Sequence, residues 1–215
     1  MTSPGDLIWQ PSLLDAGPEP GIEEAFTGAV RIELDARSWI ERVPGWVSAS
    51  DGLFDHLLKT ADWGQRTRKM WDHEVLEPRL TSWWGAESGR PLEPPILERM
   101  RRALSARYGV EFDSMGLNLY RDGRDSVAWH GDRISPEIAE PIVALVSLGD
   151  PRRFLARPRG GGRSRAFELG RGDLLVTGGA FQRRWEHSVP KVAAAGARVS
   201  IAFRHNAEPA TYPKG

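Results

Sequence analysis

Cysteine is absent from all 215 residues of the chain. The sequence therefore excludes disulfide bonds and metal sites built on thiolates. Long apolar runs are missing too: the longest, Ile142 to Leu148, suits a buried strand and is too short to span a bilayer. No segment resembles a signal peptide. We therefore expect a cytoplasmic protein that makes no contact with membranes.

The chain also lacks net charge, since 29 Lys and Arg balance 29 Asp and Glu. The balance hides an uneven distribution. Residues 1–58 carry ten acids against three arginines, whereas residues 151–191 carry ten Lys and Arg against three acids. The basic C-terminal half is suited to an anionic partner.

The length fits one elaborated domain. Residues 1–30 are rich in Pro, Gly and acids, and they predict an extended arm over a single domain that spans residues 31–215. Trp9 and Leu13-Leu14 are the expected anchors of this arm. Apolar spacing predicts a helix over residues 51–62, capped by Ser50 or Asp51. A second helix is expected to open at Pro94-Pro95 and to end at Gly109.

Beyond Gly109 the pattern changes to short strands separated by turn residues. Closely spaced strands of this kind predict an antiparallel sandwich or jelly roll. The candidate strands are 115–120, 141–148, 152–157, 164–169, 173–177, 184–189 and 197–204.

A candidate metal site centres on His130 and Asp132. Residues two apart on a strand point to the same face, and Gly131 between them leaves room for an ion. His187 would complete a facial triad of two histidines and one carboxylate, the ligand set of non-haem iron oxygenases. Alone, a His-x-Asp pair is weak evidence. The remaining histidines lack a partner at ligand spacing and are expected at the surface: His56, His73 and His205.

Two arginines near the C-terminus strengthen this interpretation. Arg198 and Arg204 share strand parity, with apolar residues on the opposite face, and Asn118 shares parity with Tyr120. Guanidinium groups bind carboxylates through paired hydrogen bonds, to which a Tyr hydroxyl and an Asn amide can add donors. The pattern predicts a site for a small dicarboxylate beside the metal. The alternative is that both arginines are ordinary surface charges.

Several motifs in order resemble the AlkB family of iron- and 2-oxoglutarate-dependent dioxygenases over about residues 70–205. They are Pro78 to Gly85, Asn118-x-Tyr120-x-Asp122-Gly123-x-Asp125, His130-x-Asp132, Ser147-Leu148-Gly149, Gly172 to Leu175, Gln182-x-x-Trp185-x-His187-x-x-Pro190-Lys191 and Arg198-x5-Arg204. The resemblance implies an α+β, mainly β, fold. It consists of a double-stranded β-helix (jelly-roll) core at about 110–205, N-terminal helices and a substrate lid at about 70–90.

The resemblance also implies roles for individual residues. His130, Asp132 and His187 would bind Fe(II). The 2-oxoglutarate co-substrate would be held by Asn118, Tyr120, Arg198 and Arg204, with O2 as the third reactant. The implied reaction is oxidative demethylation of N-alkylated bases in DNA or RNA, of the 1-methyladenine and 3-methylcytosine type. It releases formaldehyde, succinate and CO2, and no obligate protein partner is expected.

Substrate contacts are predicted in two groups. Trp83 or Trp84, in the lid segment, would stack on a flipped base. Arg79, Arg152 and Arg153 would contact the nucleic acid, and further arginines could bind phosphates. These are Arg157, Arg159, Arg163, Arg165, Arg183 and Arg184.

Departures from the family pattern leave the triad and the arginines intact, but base selectivity does not carry over. Ile134 and Ser135 stand where many relatives have an acid, and Thr177 stands where methionine is common. Asp113 and Ser200 each replace a frequent asparagine. Two alternatives stay open: the same oxygenase chemistry on a protein or small molecule, and an inactive jelly-roll binding module that retains metal.

Overall fold

The computed structural model describes Leu7, Trp9 and residues 19–70 and 73–205. Strands dominate the described residues, with two long helices, one four-residue helix and a short 3-10 helix at Ala86–Ser88. The elements in chain order are β1 (Gly21–Ile22), β2 (Val30–Asp35), β3 (Ser38–Val43), β4 (Val47–Ser48), α1 (Ser50–Thr60), β5 (Thr67–Met70), β6 (His73–Leu76), β7 (Leu80–Gly85), α2 (Pro95–Tyr108), β8 (Ser114–Tyr120), β9 (Val127–His130), β10 (Val143–Gly149), β11 (Arg152–Pro158), β12 (Arg165–Leu169), β13 (Leu174–Gly179), α3 (Phe181–Arg184), β14 (Trp185–Val189) and β15 (Arg198–Arg204).

Two antiparallel sheets form the body of the protein. The large sheet has seven strands in the order β2-β3-β13-β10-β15-β8-β7, and the small sheet has four in the order β12-β11-β14-β9. Neighbours in both sheets run antiparallel. The prediction of a jelly-roll core is confirmed. The seven strands predicted after Gly109 all form, with ends within two residues of the expected bounds.

The central strand β10 shows how the sequence produces three layers. All seven of its residues are buried, as expected for a strand covered on both faces. Val143 and Leu145 pack between the two sheets, in a core with Phe154 of β11. Ala144 and Val146 point the other way and join the core beneath the helices. The two-residue period thus assigns alternate side chains to two separate cores.

The helices cover the outer face of the large sheet. Helix α2 begins at Pro95 and ends before Gly109, which adopts a left-handed conformation with φ 67°. A glycine accommodates this conformation without strain, and the predicted bounds are confirmed. Helix α1 begins at Ser50, but the predicted cap is wrong. Ala49 occupies the N-cap, and Asp51 lies inside the helix, where it pairs with Arg171 at 3.3 Å.

The N-terminal half supplies more strands than the sequence predicted. Strands β2 and β3 extend the large sheet beyond β13, and β7, in the expected lid segment, closes its other edge beside β8. Trp9 packs edge-on against Phe54 of α1, with ring centroids 4.7 Å apart. Leu13 and Leu14 lie outside the described residues, so the division into arm and domain stays a prediction. None of the helices described is long and apolar enough to cross a bilayer.

Candidate active site

A cavity of about 530 Å³ lies between the two sheets. Its walls come from β7, β8, β10 and β15 of the large sheet and from β9, β11 and β14 of the small sheet. All the residues predicted to bind iron or 2-oxoglutarate line this cavity: Asn118, Tyr120, His130, Asp132, His187, Arg198 and Arg204. Residues that are distant in sequence therefore share one site.

Three potential metal ligands converge in this cavity. His130 ends β9 and pairs in register with His187 of β14, which brings the two imidazoles to a centroid distance of 4.3 Å. Asp132 follows β9, and its Oδ2 lies 3.8 Å from Nε2 of His187. One ligand atom from each residue lies within 4.8 Å of the others. This is the compact arrangement that a single ion requires.

The two histidines are held as neutral ligands. His130 Nδ1 lies 2.9 Å from the carbonyl oxygen of Ala128, and donation to that oxygen leaves its Nε2 as the lone-pair atom. Burial lowers the pKa of His130. Burial, reinforced by the neighbouring His130, lowers the pKa of His187 to about 3. Both imidazoles are therefore neutral near pH 7, which is the form that binds a metal.

Asp132 is held as a carboxylate. Burial raises its pKa, but Arg204, His187 and His130 outweigh that effect and keep the pKa below its ordinary value. Arg204 donates to Oδ1 of Asp132 from Nε at 3.0 Å and from Nη2 at 2.8 Å. Gly131 lies in a crowded position beside it, because a Cβ there would lie 2.8 Å from a nitrogen of the Arg159 guanidinium and 3.2 Å from the carbonyl oxygen of Gln182.

Arg198 fits the carboxylate group of a co-substrate. Its side chain is only 2% exposed, and its Nε donates to the hydroxyl oxygen of Ser147 at 2.9 Å. Its buried Nη1 has no hydrogen-bond partner among the described residues. Burial lowers the pKa of Arg198. The central carbon of its guanidinium group lies 5.3 Å from the centroid of the Tyr120 ring. A buried guanidinium with an unsatisfied donor is suited to an anion that enters the cavity.

The facing strand completes this wall. In the register of β15 with β8, Tyr120 lies opposite Arg198, and Asn118 lies opposite Ser200. Arg79 donates from Nε to Oδ1 of Asn118 at 3.1 Å and pairs with Glu77 at 2.9 Å. The amide oxygen of Asn118 is thereby occupied, and its NH2 group remains available as a donor. Arg79 thus supports Asn118 and lines the same cavity.

The two tryptophans of β7 point to opposite faces. Trp83 lines the cavity, and its ring lies over Gly116, where an added Cβ would meet it at 3.5 Å. Trp84 packs against the helix-side core and donates from Nε1 to the carbonyl oxygen of Arg90 at 2.7 Å. The prediction of Trp84 as a stacking residue is therefore wrong, because strand alternation turns it away from the site. Trp83 stays the candidate.

The predicted contact by Arg152 is also wrong. Arg152 is 3% exposed and donates to the backbone carbonyl oxygens of Asp122, Asp125 and Pro190 at 3.1, 2.9 and 2.7 Å. It fixes the loops behind the site and is shielded from phosphates. Arg153 is exposed and stays a prediction.

Several other predicted phosphate contacts are engaged within the protein. Arg183 donates to the carbonyl oxygens of Ile134, Ser135 and Ile138 at 3.3, 2.6 and 2.9 Å. The others with partners in the protein are Arg157 with Glu186, Arg159 with the Gln182 carbonyl oxygen, Arg165 with the Glu33 carbonyl oxygen and Arg184 with Asp35. Arg163 is exposed.

One structural histidine was misjudged, and several lining residues were missed. His205 is buried rather than at the surface, and its Nε2 accepts a hydrogen bond from the Ile142 amide at 2.9 Å. The cavity also includes Arg66, Glu77 and Arg133, which lie outside the recognised motifs. Gln182 belonged to a motif, but only its contact with Asp132 reveals what it does.

Comparison with known proteins identifies the architecture. Residues 85–204 match the family described as the 2OG-Fe(II) oxygenase superfamily, and this range contains all the predicted iron and 2-oxoglutarate residues. The solved structure of OsALKBH1 superposes with a TM-score of 0.61 at 16% identity, covering 82% of this chain and 100% of that one. At this identity the superposition shows a shared fold.

Curated relatives are similar over most of the chain. The alpha-ketoglutarate-dependent dioxygenase alkB homolog 3 of Bos taurus is 34% identical over 212 residues, covering 87% of this chain and 73% of that protein. Its human counterpart is 33% identical with the same coverage. The DNA oxidative demethylase ALKBH2 of Arabidopsis thaliana is 31% identical over 191 residues, covering 71% of this chain and 60% of that protein.

Proposed function

The chain belongs to the AlkB family of Fe(II)- and 2-oxoglutarate-dependent dioxygenases, and we propose that it removes alkyl groups from N-alkylated bases of DNA or RNA. The observation that carries the proposal is the joint placement of the His130, Asp132 and His187 triad, the buried Arg198 and the Trp83 ring around one cavity. Three relatives are named as demethylases of DNA, from Arabidopsis thaliana, Bos taurus and Homo sapiens. Their names support a nucleic-acid substrate.

The residues fit the reactants that the family uses. Fe(II) would be held by the triad, and the carboxylates of 2-oxoglutarate by Arg198 and Arg204 with Asn118 and Tyr120 beside them. Bound together, Fe(II), 2-oxoglutarate and O2 supply an oxidation that hydroxylates an N-methyl group and yields succinate and CO2. The hydroxymethyl group is then lost as formaldehyde, which leaves the unmodified base.

The protein contributes positioning and electrostatics. Arg204 holds one oxygen of Asp132 and remains within the cavity, so one guanidinium serves the metal ligand and the co-substrate region. The Phe154 ring stacks on His187 at 5.0 Å and, with Leu145, gives the buried side of the cavity an apolar lining. An apolar lining excludes water and strengthens the electrostatic interactions within the site.

Base binding is proposed at the Trp83 side of the cavity. A base inside a duplex is out of reach, so an enzyme of this type acts on a flipped or single-stranded base. The Trp83 ring offers a stacking surface, which is worth about 1–3 kcal/mol per base in single-strand binding proteins. Arg133, which lines the cavity, and the exposed Arg153 and Arg163 are the proposed phosphate contacts. The cytoplasm is the proposed compartment, on composition alone.

The proposal is tested by the effect of substrate on co-substrate turnover. Succinate formation would be followed with a single-stranded oligonucleotide that carries 3-methylcytosine and with the same oligonucleotide unmethylated. We expect the methylated strand to stimulate succinate formation and to lose its methyl group. Equal rates with both strands, and no change in base mass, would direct the chemistry to a protein or small-molecule substrate. Loss of activity in His187→Ala serves as the control for metal dependence.

A further inference from the structure

Gln182 lies behind the metal site, in the turn that precedes the strand carrying His187. It is 2% exposed and occupies the second position of the four-residue helix α3. Its Oε1 accepts a hydrogen bond from the backbone amide of Asp132 at 2.9 Å. Its Nε2 donates to Oδ2 of Asp132 at 3.2 Å and to the hydroxyl oxygen of Thr177 at 3.1 Å. One carboxamide therefore binds both the backbone and the side chain of a metal ligand.

The orientation of this carboxamide follows from its partners. A backbone amide only donates, so the oxygen of Gln182 must face the Asp132 N–H. An ionised carboxylate only accepts, so the NH2 group must face Oδ2. Rotation of the Asp132 side chain would break the hydrogen bond between Oδ2 and the NH2 group of Gln182. The bond from the Asp132 backbone amide to the oxygen of Gln182 would remain. The pair of bonds thus restrains the side-chain rotamer of Asp132 relative to its own backbone.

The two oxygens of Asp132 have different partners. Oδ1 accepts both hydrogen bonds from Arg204, whereas Oδ2 accepts from Gln182 and is the oxygen that lies 3.8 Å from Nε2 of His187. Arg204 alone would attract the carboxylate toward the co-substrate side. Gln182 restrains the other oxygen on the triad side, and because it is neutral it leaves the negative charge for the ion.

We propose that Gln182 is a positioning residue for metal binding. It pre-orients the Asp132 carboxylate toward the two histidines, and Thr177 supports it by accepting the second N–H of the carboxamide. This inference rests on the triad as a metal site and is independent of the nucleic-acid substrate. Partners that orient metal ligands typically change metal affinity by about 10–100-fold when removed.

The test is a titration of purified metal-free protein with Mn(II), which binds oxygenase-type sites without turnover, with free Mn(II) followed by electron paramagnetic resonance. Gln182→Met keeps the length of the side chain and removes every hydrogen bond. We expect its Kd for Mn(II) to rise about 10–100-fold. The affinity for 2-oxoglutarate, measured at saturating Mn(II), should stay unchanged, because Arg198 and Arg204 are intact.

Controls separate positioning from a general loss of structure. Gln65→Leu removes another glutamine, whose Nε2 donates to the carbonyl oxygen of Glu77 at 2.9 Å, and it should leave Mn(II) affinity unchanged. Thr177→Val removes only the supporting bond and should raise the Kd about 2–10-fold, the range for one neutral hydrogen bond. If Gln182→Met does not fold, the Mn(II) affinity of Thr177→Val tests whether Gln182 positions Asp132.

Three results would overturn the inference. The first is a folded Gln182→Met with wild-type affinity for Mn(II). The second is equal weakening in Gln65→Leu. The third, should Gln182→Met fail to fold, is unchanged affinity in Thr177→Val. If the wild-type protein and His187→Ala were equally unable to bind Mn(II), the metal site itself would fail, and with it the proposed function.

Discussion

Replacement of Arg198 by methionine is expected to weaken 2-oxoglutarate binding strongly. Without metal and 2-oxoglutarate, the variant is expected to be at least as stable as the wild-type protein in the same state. The guanidinium is 2% exposed, and one of its terminal nitrogens has no hydrogen-bond partner among the described residues. Its titratable neighbours in the described part of the chain are Tyr120 and Arg152, neither of which is a carboxylate. The empty protein therefore bears the desolvation cost of a buried cation without a compensating ion pair.

The expected magnitudes follow from this environment. A hydrogen bond to a charged group contributes about 1.5–3 kcal/mol, so losing one pair with a co-substrate carboxylate should raise the Kd for 2-oxoglutarate about 10–150-fold. Methionine fills much of the same volume without a charge. Exchange of a buried, unpaired charge for an apolar side chain is neutral or stabilising, so the free energy of unfolding of the metal-free protein should not fall.

Two measurements check this prediction. Calorimetric titration of 2-oxoglutarate into Mn(II)-loaded protein gives the Kd, and urea unfolding of the empty protein gives its stability. At a ligand concentration of about 100 times Kd, the wild type should gain about 2.7 kcal/mol of stability, and the variant much less. The exposed Arg153→Met is the matched control. Unchanged 2-oxoglutarate affinity together with a large loss of stability in Arg198→Met would show that Arg198 has a structural role instead.

Four further predictions concern the same site. Asp132→Ala should abolish both Mn(II) binding and succinate formation, because it removes the only carboxylate of the triad; turnover in this variant would refute the ligand assignment. Arg204→Lys should raise the half-saturating concentration of 2-oxoglutarate about tenfold, the equivalent of about 1.4 kcal/mol, since a single ammonium group cannot both keep the two bonds to Asp132 and bind the co-substrate; an unchanged value in the succinate assay would show that Arg204 does not bind the co-substrate. Trp83→Ala should raise KM for a methylated oligonucleotide about 5–150-fold, given about 1–3 kcal/mol per stacked base, while the Kd for 2-oxoglutarate stays constant; an unaltered KM would exclude stacking on this ring. The pKa of His187 is about 3 in the folded protein against 6.5 when unfolded, so the unfolded chain takes up the proton first as pH falls. Its burial should therefore cost the metal-free protein about 2 kcal/mol between pH 7 and pH 5. His187→Leu should reduce the pH dependence of the free energy of unfolding by this amount in urea unfolding, and a pH dependence equal to that of the wild type would contradict the assignment.

The C-terminal half was predictable because local pattern and structure agree there. The alternation in residues 198–204 placed Arg198 and Arg204 on one face and Val199, Ile201 and Phe203 on the other, and the structure lines the cavity with the first set and packs the second beneath the helices. The turn residues between the strands predicted where each strand begins and ends. Periodicity carries this information because a strand alternates its faces whatever it pairs with.

What the sequence left open depended on contacts between distant segments. Strand β7 was expected as part of a lid, so the faces of Trp83 and Trp84 were undefined until its pairing with β8 was known. Arg152 had the composition of a phosphate contact, but three backbone carbonyl oxygens from two other loops bury it. An arginine that is buried by backbone groups of distant loops cannot be recognised from the residues around it in the sequence.

Demethylase activity is tested by mass spectrometry of oligonucleotides that carry 1-methyladenine or 3-methylcytosine, after incubation with the protein, Fe(II), ascorbate and 2-oxoglutarate. Succinate and formaldehyde are quantified in parallel. We expect each base to lose the mass of one methylene, with one succinate and one formaldehyde formed per base, only when 2-oxoglutarate is present. Succinate formation with no change in base mass would contradict the nucleic-acid assignment, and no succinate at all would contradict the oxygenase site.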